Sequence, residues 1–143
     1  MANISSYPTA TPASGDLILG TQLSAASVNK TRNFTVGSVT SAGLGYTSYV
    51  ALLTQASTAA PVATVLSNNL TATLTWARTG TGTYTLTASA ATFTANKTIV
   101  FFNNGNAAPN SNQWTRTSDT VLTLTIGIDN ALVNGSFEVR IYA

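Results

Sequence analysis

The chain has 143 residues and a mass of 14.7 kDa, which fits one domain of ordinary size with a tail, or two very small units. Hydrophobic residues make up 44% of the sequence, enough for one core, but charged residues make up only 7%, and the net charge of +2 argues against a nucleic-acid binder. The chain contains no histidine and no cysteine, which excludes Cys/His zinc sites, disulfides, thiol redox chemistry and nucleophiles activated by histidine.

The beginning of the sequence carries no recognisable targeting signal. Residues 1–8 have neither the charged region nor the apolar region of a secretory signal peptide. The longest strongly apolar runs, residues 50–53 and 99–102, are far too short to cross a bilayer. We therefore expect a protein that is made in a cytoplasm and does not insert into a membrane.

The first predicted element is a two-stranded ribbon. Residues 16–22 form a short apolar strand, and residues 31–39 alternate between exposed and apolar side chains as a half-exposed strand should. A ribbon of two strands is marginal alone and needs a neighbouring surface to stabilise it. Residues 40–45, rich in Ser, Ala and Gly, are predicted to be a flexible linker that ends an N-terminal segment of residues 1–45.

From residue 46 onward the sequence predicts a dense series of short β-strands. The predicted strands are residues 46–55, 63–67, 71–78, 83–88, 97–103, 113–117, 120–128 and 136–142. Glycine and asparagine mark the turns between them, and no window of a dozen residues has strong helical periodicity. We predict an all-β fold in which a β-sandwich or jelly-roll domain, residues 46–143, follows an extended N-terminal segment with short strands.

Alternation within these strands separates core positions from surface positions. Trp76 and Tyr84 have the parity of inward residues and are predicted to lie in the core. The runs at residues 50–53 and 99–102 are apolar on both faces, so their outer faces are predicted to be covered by another layer or another subunit. The candidate oligomer-interface residues are Val50, Leu52 and Phe101.

The residues available for catalysis are few. No two of the four acids, Asp16, Asp119, Asp129 and Glu138, share a local motif. Glu138 and Arg140 lie two residues apart on one strand face and are interpreted as an ion pair. A glycosidase would need two facing carboxylates. Asp119 and Glu138 could meet in space, but nothing in the sequence indicates that they do. The polar loop at residues 103–112 has no acid to hold calcium, so we predict no catalytic residue, no metal site and no cofactor.

Trp114 is the aromatic residue with the most open interpretation. It follows the polar loop of residues 103–113, and a flat aromatic face can pack in a core, against a partner or on a sugar. A core or subunit contact is the first interpretation, and a glycan contact is the alternative.

Several segments resemble a β-domain common in structural proteins of tailed phages. Those in the β-rich region are residues 49–55 (Tyr-Val-Ala-Leu-Leu-Thr-Gln), 60–66, 74–84, 93–98 and 137–142 (Phe-Glu-Val-Arg-Ile-Tyr). The N-terminal residues 7–12, 15–21 and 32–36 resemble the anchoring segment that precedes such domains. The resemblance implies a virion component, namely a short fibre, spike or decoration on the capsid or tail, typically a homotrimer, with no catalytic residue.

The resemblance also implies that the N-terminal segment attaches the protein to the particle. The candidate anchoring residues are Leu17, Ile18, Leu19, Phe34 and Val36. The expected partners are further copies of the chain and phage capsid or tail proteins, and the expected location is the virion. The alternative is a tail-fibre or lectin-like module that binds glycan on the host surface. The third hypothesis, a glycan depolymerase, would depend on Asp119 and Glu138.

Overall fold

The computed structural model of the chain describes residues 11–22, 30–105 and 112–143. The predicted anchoring motif at residues 7–12 and the polar loop before Trp114 fall largely outside these ranges. The chain divides into two compact units, Met1–Gly45 and Tyr46–Ala143. Strands make up 53% of the structure and helix 7%, which confirms the predicted all-β, sandwich-like class.

The described ranges contain ten β-strands and one α-helix. The elements are β1 (Leu17–Gln22), β2 (Lys30–Thr35), α1 (Val36–Leu44), β3 (Tyr46–Thr54), β4 (Val62–Asn68), β5 (Leu74–Gly80), β6 (Thr83–Ala88), β7 (Thr98–Asn103), β8 (Gln113–Arg116), β9 (Val121–Thr125) and β10 (Gly135–Tyr142). The eight strands predicted after residue 45 are all present. The largest shifts are of three residues. Strand β5 begins at Leu74 and not at Thr71, because its pairing with β6 begins at Leu74 and Ala88, and β9 ends at Thr125 and not at residue 128.

The N-terminal unit contains the predicted ribbon and a helix that the sequence pattern did not predict. Strands β1 and β2 pair antiparallel, from Leu17 opposite Thr35 to Gln22 opposite Lys30. The predicted second strand, residues 31–39, therefore ends at Thr35, and the predicted linker at residues 40–45 lies in α1 and its cap.

The ends of α1 show why this helix forms. The hydroxyl of Thr35 accepts a hydrogen bond from the backbone N–H of Ser38 at 3.1 Å, which caps the first turn. Gly45 adopts a left-handed conformation with φ 68°, which ends the helix. Among the residues that the structure describes, no helix is both long enough and apolar enough to cross a membrane.

Two four-stranded antiparallel sheets form the second unit. We call them sheet I, with strand order β4-β3-β10-β7, and sheet II, with strand order β5-β6-β9-β8. The chain builds two strands of sheet I, then two of sheet II, and afterwards crosses between the sheets before each of β7, β8 and β10. Every strand therefore has one face toward the opposite sheet and one face away from it.

The core lies between the two sheets. Leu122, Leu124 and Ile126 of the β9 region are fully buried, as their alternation with threonine predicts. Trp76 of sheet II meets Phe137 of sheet I edge to face, with ring centroids 5.0 Å apart. The prediction that Trp76 and Tyr84 are core residues is confirmed, since their exposed fractions are 8% and 0%.

Candidate interaction surfaces

The outer face of sheet I brings the predicted interface residues together. Leu52 of β3 lies opposite Ser136 of β10, and both Val50 and Phe101 lie opposite Glu138. Because cross-strand partners share a face, Val50, Leu52 and Phe101 all point away from the core. Leu52 and Phe101 are each 50% exposed.

The exposed apolar surface extends over the remaining strands of sheet I. Val62 of β4 lies opposite Thr54 and is 63% exposed, and Ile99 of β7 lies opposite Arg140 and is 41% exposed. We call Val50, Leu52, Val62, Ile99 and Phe101 together the apolar face. On this face, Ser136, Glu138 and Arg140 of β10 lie between the apolar residues of β3 and those of β7. Several exposed apolar side chains on one sheet face mark an interaction surface more often than apolar residues scattered singly do.

The charges on this face neutralise each other. Glu138 and Arg140 are the only charged residues in the four strands of sheet I. Arg140 Nε donates to Glu138 Oε1 at 2.6 Å, and this hydrogen bond raises the pKa of Arg140. The guanidinium carbon of Arg140 lies 5.0 Å from the ring centroid of Tyr46 and 5.1 Å from that of Phe101. The predicted ion pair is present, and the face has no unpaired charge.

Two shallow hollows lie along sheet I, one over β10 between β3 and β7 and the other between β3, β4 and the start of β10. Each has a volume of about 290 Å³. The first is lined by Val50, Phe101 and Glu138, among others, and the second by Leu52 and Thr64, among others. The face therefore has relief into which side chains of a partner could pack.

The outer face of sheet II has the opposite character. Its strands present threonine at alternate positions, and pairs such as Thr85 with Thr123 and Thr83 with Thr125 lie opposite each other. Threonine fits the pleat while its hydroxyl remains hydrated. Sheet II is therefore suited to face water, and the apolar face of sheet I is not.

The predicted anchoring residues differ in their exposure. Leu17, Ile18 and Leu19 of β1 are 64%, 44% and 72% exposed, so this strand shows apolar side chains on both faces. Phe34 is half-buried, opposite Ile18 in the ribbon. Val36 is half-buried as well, but it is the first residue of α1 and not part of a strand as predicted.

The two acids considered as a catalytic pair lie in different parts of the sandwich. Glu138 lies on the outer face of sheet I, whereas Asp119 lies in the turn between β8 and β9 of sheet II, so the structure does not bring this pair together. Within residues 11–22, 30–105 and 112–143, no group of three His, Cys, Asp or Glu side chains could hold a metal ion.

Asp129 has a structural contact with the hairpin of β5 and β6. Its carboxylate accepts hydrogen bonds from Arg78 Nε at 2.7 Å and Nη2 at 2.8 Å, and from the backbone N–H of Gly82 at 3.1 Å. The bond from Arg78, followed by the bond from Gly82, lowers the pKa of Asp129. The carboxylate is therefore ionised at neutral pH and holds the loop before β10 against the β5–β6 turn.

Trp114 lies beside a polar crevice at the edge of the sandwich. It is half-buried on β8, and the crevice beside it is also lined by Asn96, Thr98 and Arg116, among others. Trp114 is a candidate site residue from the sequence, whereas Asn96 and Arg116 are not. Trp114 and Arg116 are two residues apart on β8, so the sequence alone predicts that they share a strand face. It does not predict that Asn96 and Thr98, from another part of the chain, lie beside them.

Comparisons with known proteins do not identify these surfaces. No protein-family model matches the sequence, and searches of curated proteins and of solved structures found no significant match. The interpretation of the surfaces therefore depends on their composition, exposure and geometry.

Proposed function

We propose that the chain is a non-enzymatic structural protein of a phage particle. It forms a homotrimeric surface spike, head fibre or capsid decoration, and its N-terminal unit attaches it to the particle. The resemblance of the sequence to structural proteins of tailed phages supports the phage setting. The observation that carries the proposal is the apolar face of sheet I, which no other described part of its own unit covers.

The apolar face supports assembly from identical copies. Burial of apolar surface contributes about 25 cal/mol per Å², and the cores of oligomer interfaces are apolar and poor in charge. Because Glu138 is already paired with Arg140, the face offers no net charge to attract a partner of opposite sign. Three copies around a threefold axis beside sheet I would cover three such faces together.

The N-terminal unit supports attachment to another protein. Its ribbon has only two strands among the residues described, so β1 and β2 each have one unpaired edge. The exposed side chains of Leu17 and Leu19 lie on one face of β1. A strand with an open edge and apolar side chains can add to a sheet of a partner. Three such units in a trimer would bind the particle more tightly by raising the effective concentration of each.

Deletion of residues 1–45 tests the anchoring role. We expect the remaining chain to keep a cooperative unfolding transition, because the sandwich has its own core, but to disappear from purified particles. The measurement is the amount of protein that copurifies with particles, compared with the intact chain. Normal incorporation of the truncated protein would contradict the proposal.

A point substitution tests whether the apolar side chains of β1, and not only the presence of the N-terminal unit, are needed for attachment. Leu19→Asn should reduce incorporation, because Leu19 is 72% exposed on β1. Thr21→Asn, at an exposed position of the same strand and face, is the matched control and should incorporate normally. Equal incorporation of the two variants would contradict anchoring through β1.

A further inference from the structure

The crevice beside Trp114 is formed where the two sheets end at the same side of the sandwich. Strand β8 is the edge of sheet II and β7 is the edge of sheet I. Trp114 and Arg116 lie opposite the buried residues Leu124 and Leu122, so both side chains point inward, toward the space between the sheets. Thr98 lies opposite the buried Ile141 and points inward from β7. The crevice has a volume of about 430 Å³, within the range of small-ligand pockets.

The walls of the crevice are held in place by hydrogen bonds. Arg116 Nε donates to the backbone carbonyl of Phe93, a fully buried residue. The hydroxyl of Thr98 donates to the carbonyl of Thr94 at 2.9 Å. Asn96 is exposed in the same turn, in a left-handed conformation with φ 61°. A site whose groups are already positioned loses less conformational entropy when it binds a ligand.

Arg116 has hydrogen-bonding capacity that its surroundings do not use. The ion pairs among the described residues are those of Arg78 with Asp129 and of Arg140 with Glu138, and no acid lines the crevice. Nε is bound to Phe93, and the two terminal nitrogens of the guanidinium have no hydrogen-bond partner among the described residues. A guanidinium binds a carboxylate through two parallel hydrogen bonds.

We propose that this crevice binds an acidic saccharide, a pyranose that carries a carboxylate. The carboxylate pairs with the terminal nitrogens of Arg116, and the C–H face of the ring lies on the indole of Trp114, whose π-face is negatively polarised. Asn96 and the threonines supply partners for the hydroxyl groups. This inference goes beyond the structural role proposed above, because assembly and anchoring use the apolar face and the N-terminal unit.

The test is an NMR titration of the intact chain with methyl glucuronide, and with methyl glucoside as the neutral counterpart. The chain has two tryptophans, so the buried Trp76 supplies an internal control for the indole N–H signal of Trp114. We expect the glucuronide to shift the Trp114 signal, to leave the Trp76 signal in place, and to bind about tenfold more tightly than the glucoside, as a charge-assisted hydrogen bond predicts. Equal affinities, or no shift of the Trp114 signal, would overturn the proposal.

Two variants test the named contacts. Arg116→Gln should weaken glucuronide binding about tenfold more than it weakens glucoside binding. Arg32→Gln removes the same charge from an exposed position of the N-terminal unit and should leave both affinities unchanged. Unchanged glucuronide affinity of Arg116→Gln would refute the role of this side chain. If Arg116→Gln does not fold, the comparison of the two sugars on the wild-type protein still decides the proposal. The solution mass of the protein tests the proposed assembly separately.

Discussion

Gly82→Ala is expected to lower the free energy of unfolding of the sandwich by about 3 kcal/mol, and its melting temperature by about 10 °C or more. Gly82 has φ 58°, a conformation that alanine adopts with strain. A Cβ atom at this position would lie 2.2 Å from the backbone nitrogen of Ile128 and 2.5 Å from the backbone of Gly127. Backbone atoms cannot rotate away as a side chain can, so the loop must shift.

The shift would also disturb the bonds that join this loop to the hairpin. The carbonyl of Gly82 accepts a hydrogen bond from Ile126 N at 2.8 Å, and its N–H donates to Asp129. Thermal unfolding followed by circular dichroism measures the effect. Gly80→Ala is the matched control in the same turn, because the nearest atoms to its Cβ would be those of Thr83 at 3.9 Å, and we expect a change within about 0.5 kcal/mol. Equal stability of both variants would show that the loop does not pack on the hairpin as described.

Leu52→Glu is expected to convert the proposed trimer to a monomer without unfolding the sandwich. Leu52 is half-exposed on β3 in the apolar face, and its cross-strand neighbours, Ser136 and Thr64, are uncharged. A carboxylate fits such a surface while it is open to water, but in an apolar contact it is left desolvated and unpaired. A loss of about 2 kcal/mol or more at each subunit contact is expected, the range of interface hot spots.

Light scattering of the intact chain over a range of concentrations measures the mass. We expect three times the chain mass of 14.7 kDa for the wild type and the mass of a single chain for Leu52→Glu. Thr125→Glu is the matched control, because Thr125 is exposed on a central strand of sheet II between the uncharged residues Thr83 and Gln113. It should remain trimeric. A wild-type mass of one chain, or a trimeric Leu52→Glu variant, would contradict the assignment of the face.

The faces of the strands could be predicted from the sequence because their alternation is local. In β9, leucine and threonine alternate, and the structure places Leu122 and Leu124 in the core and Thr125 on the surface. The apolar face could be predicted for the same reason, since Val50, Leu52 and Phe101 are apolar at positions where a solvated sheet has polar residues.

Two features could not be predicted from local patterns. Helix α1 has nine residues, too few to show a clear helical period, and it depends on the cap at Thr35 and the left-handed Gly45. The crevice joins β7 and β8, edge strands of different sheets, so the meeting of Asn96 with Arg116 depends on how the sheets pack. Spacing along the chain carries no information on that packing.

Thiol labelling tests most directly whether another copy covers the apolar face. Because the chain has no cysteine, Leu52→Cys and Thr125→Cys each place a single thiol, one on the outer face of each sheet. Both positions are exposed in a single chain, so a difference in labelling rate reports what covers them. If the copies join through the apolar face, Leu52→Cys will label far more slowly than Thr125→Cys in the assembled protein. When the assembly dissociates, the two labelling rates will become similar. Equal rates in the assembled protein would contradict the central claim.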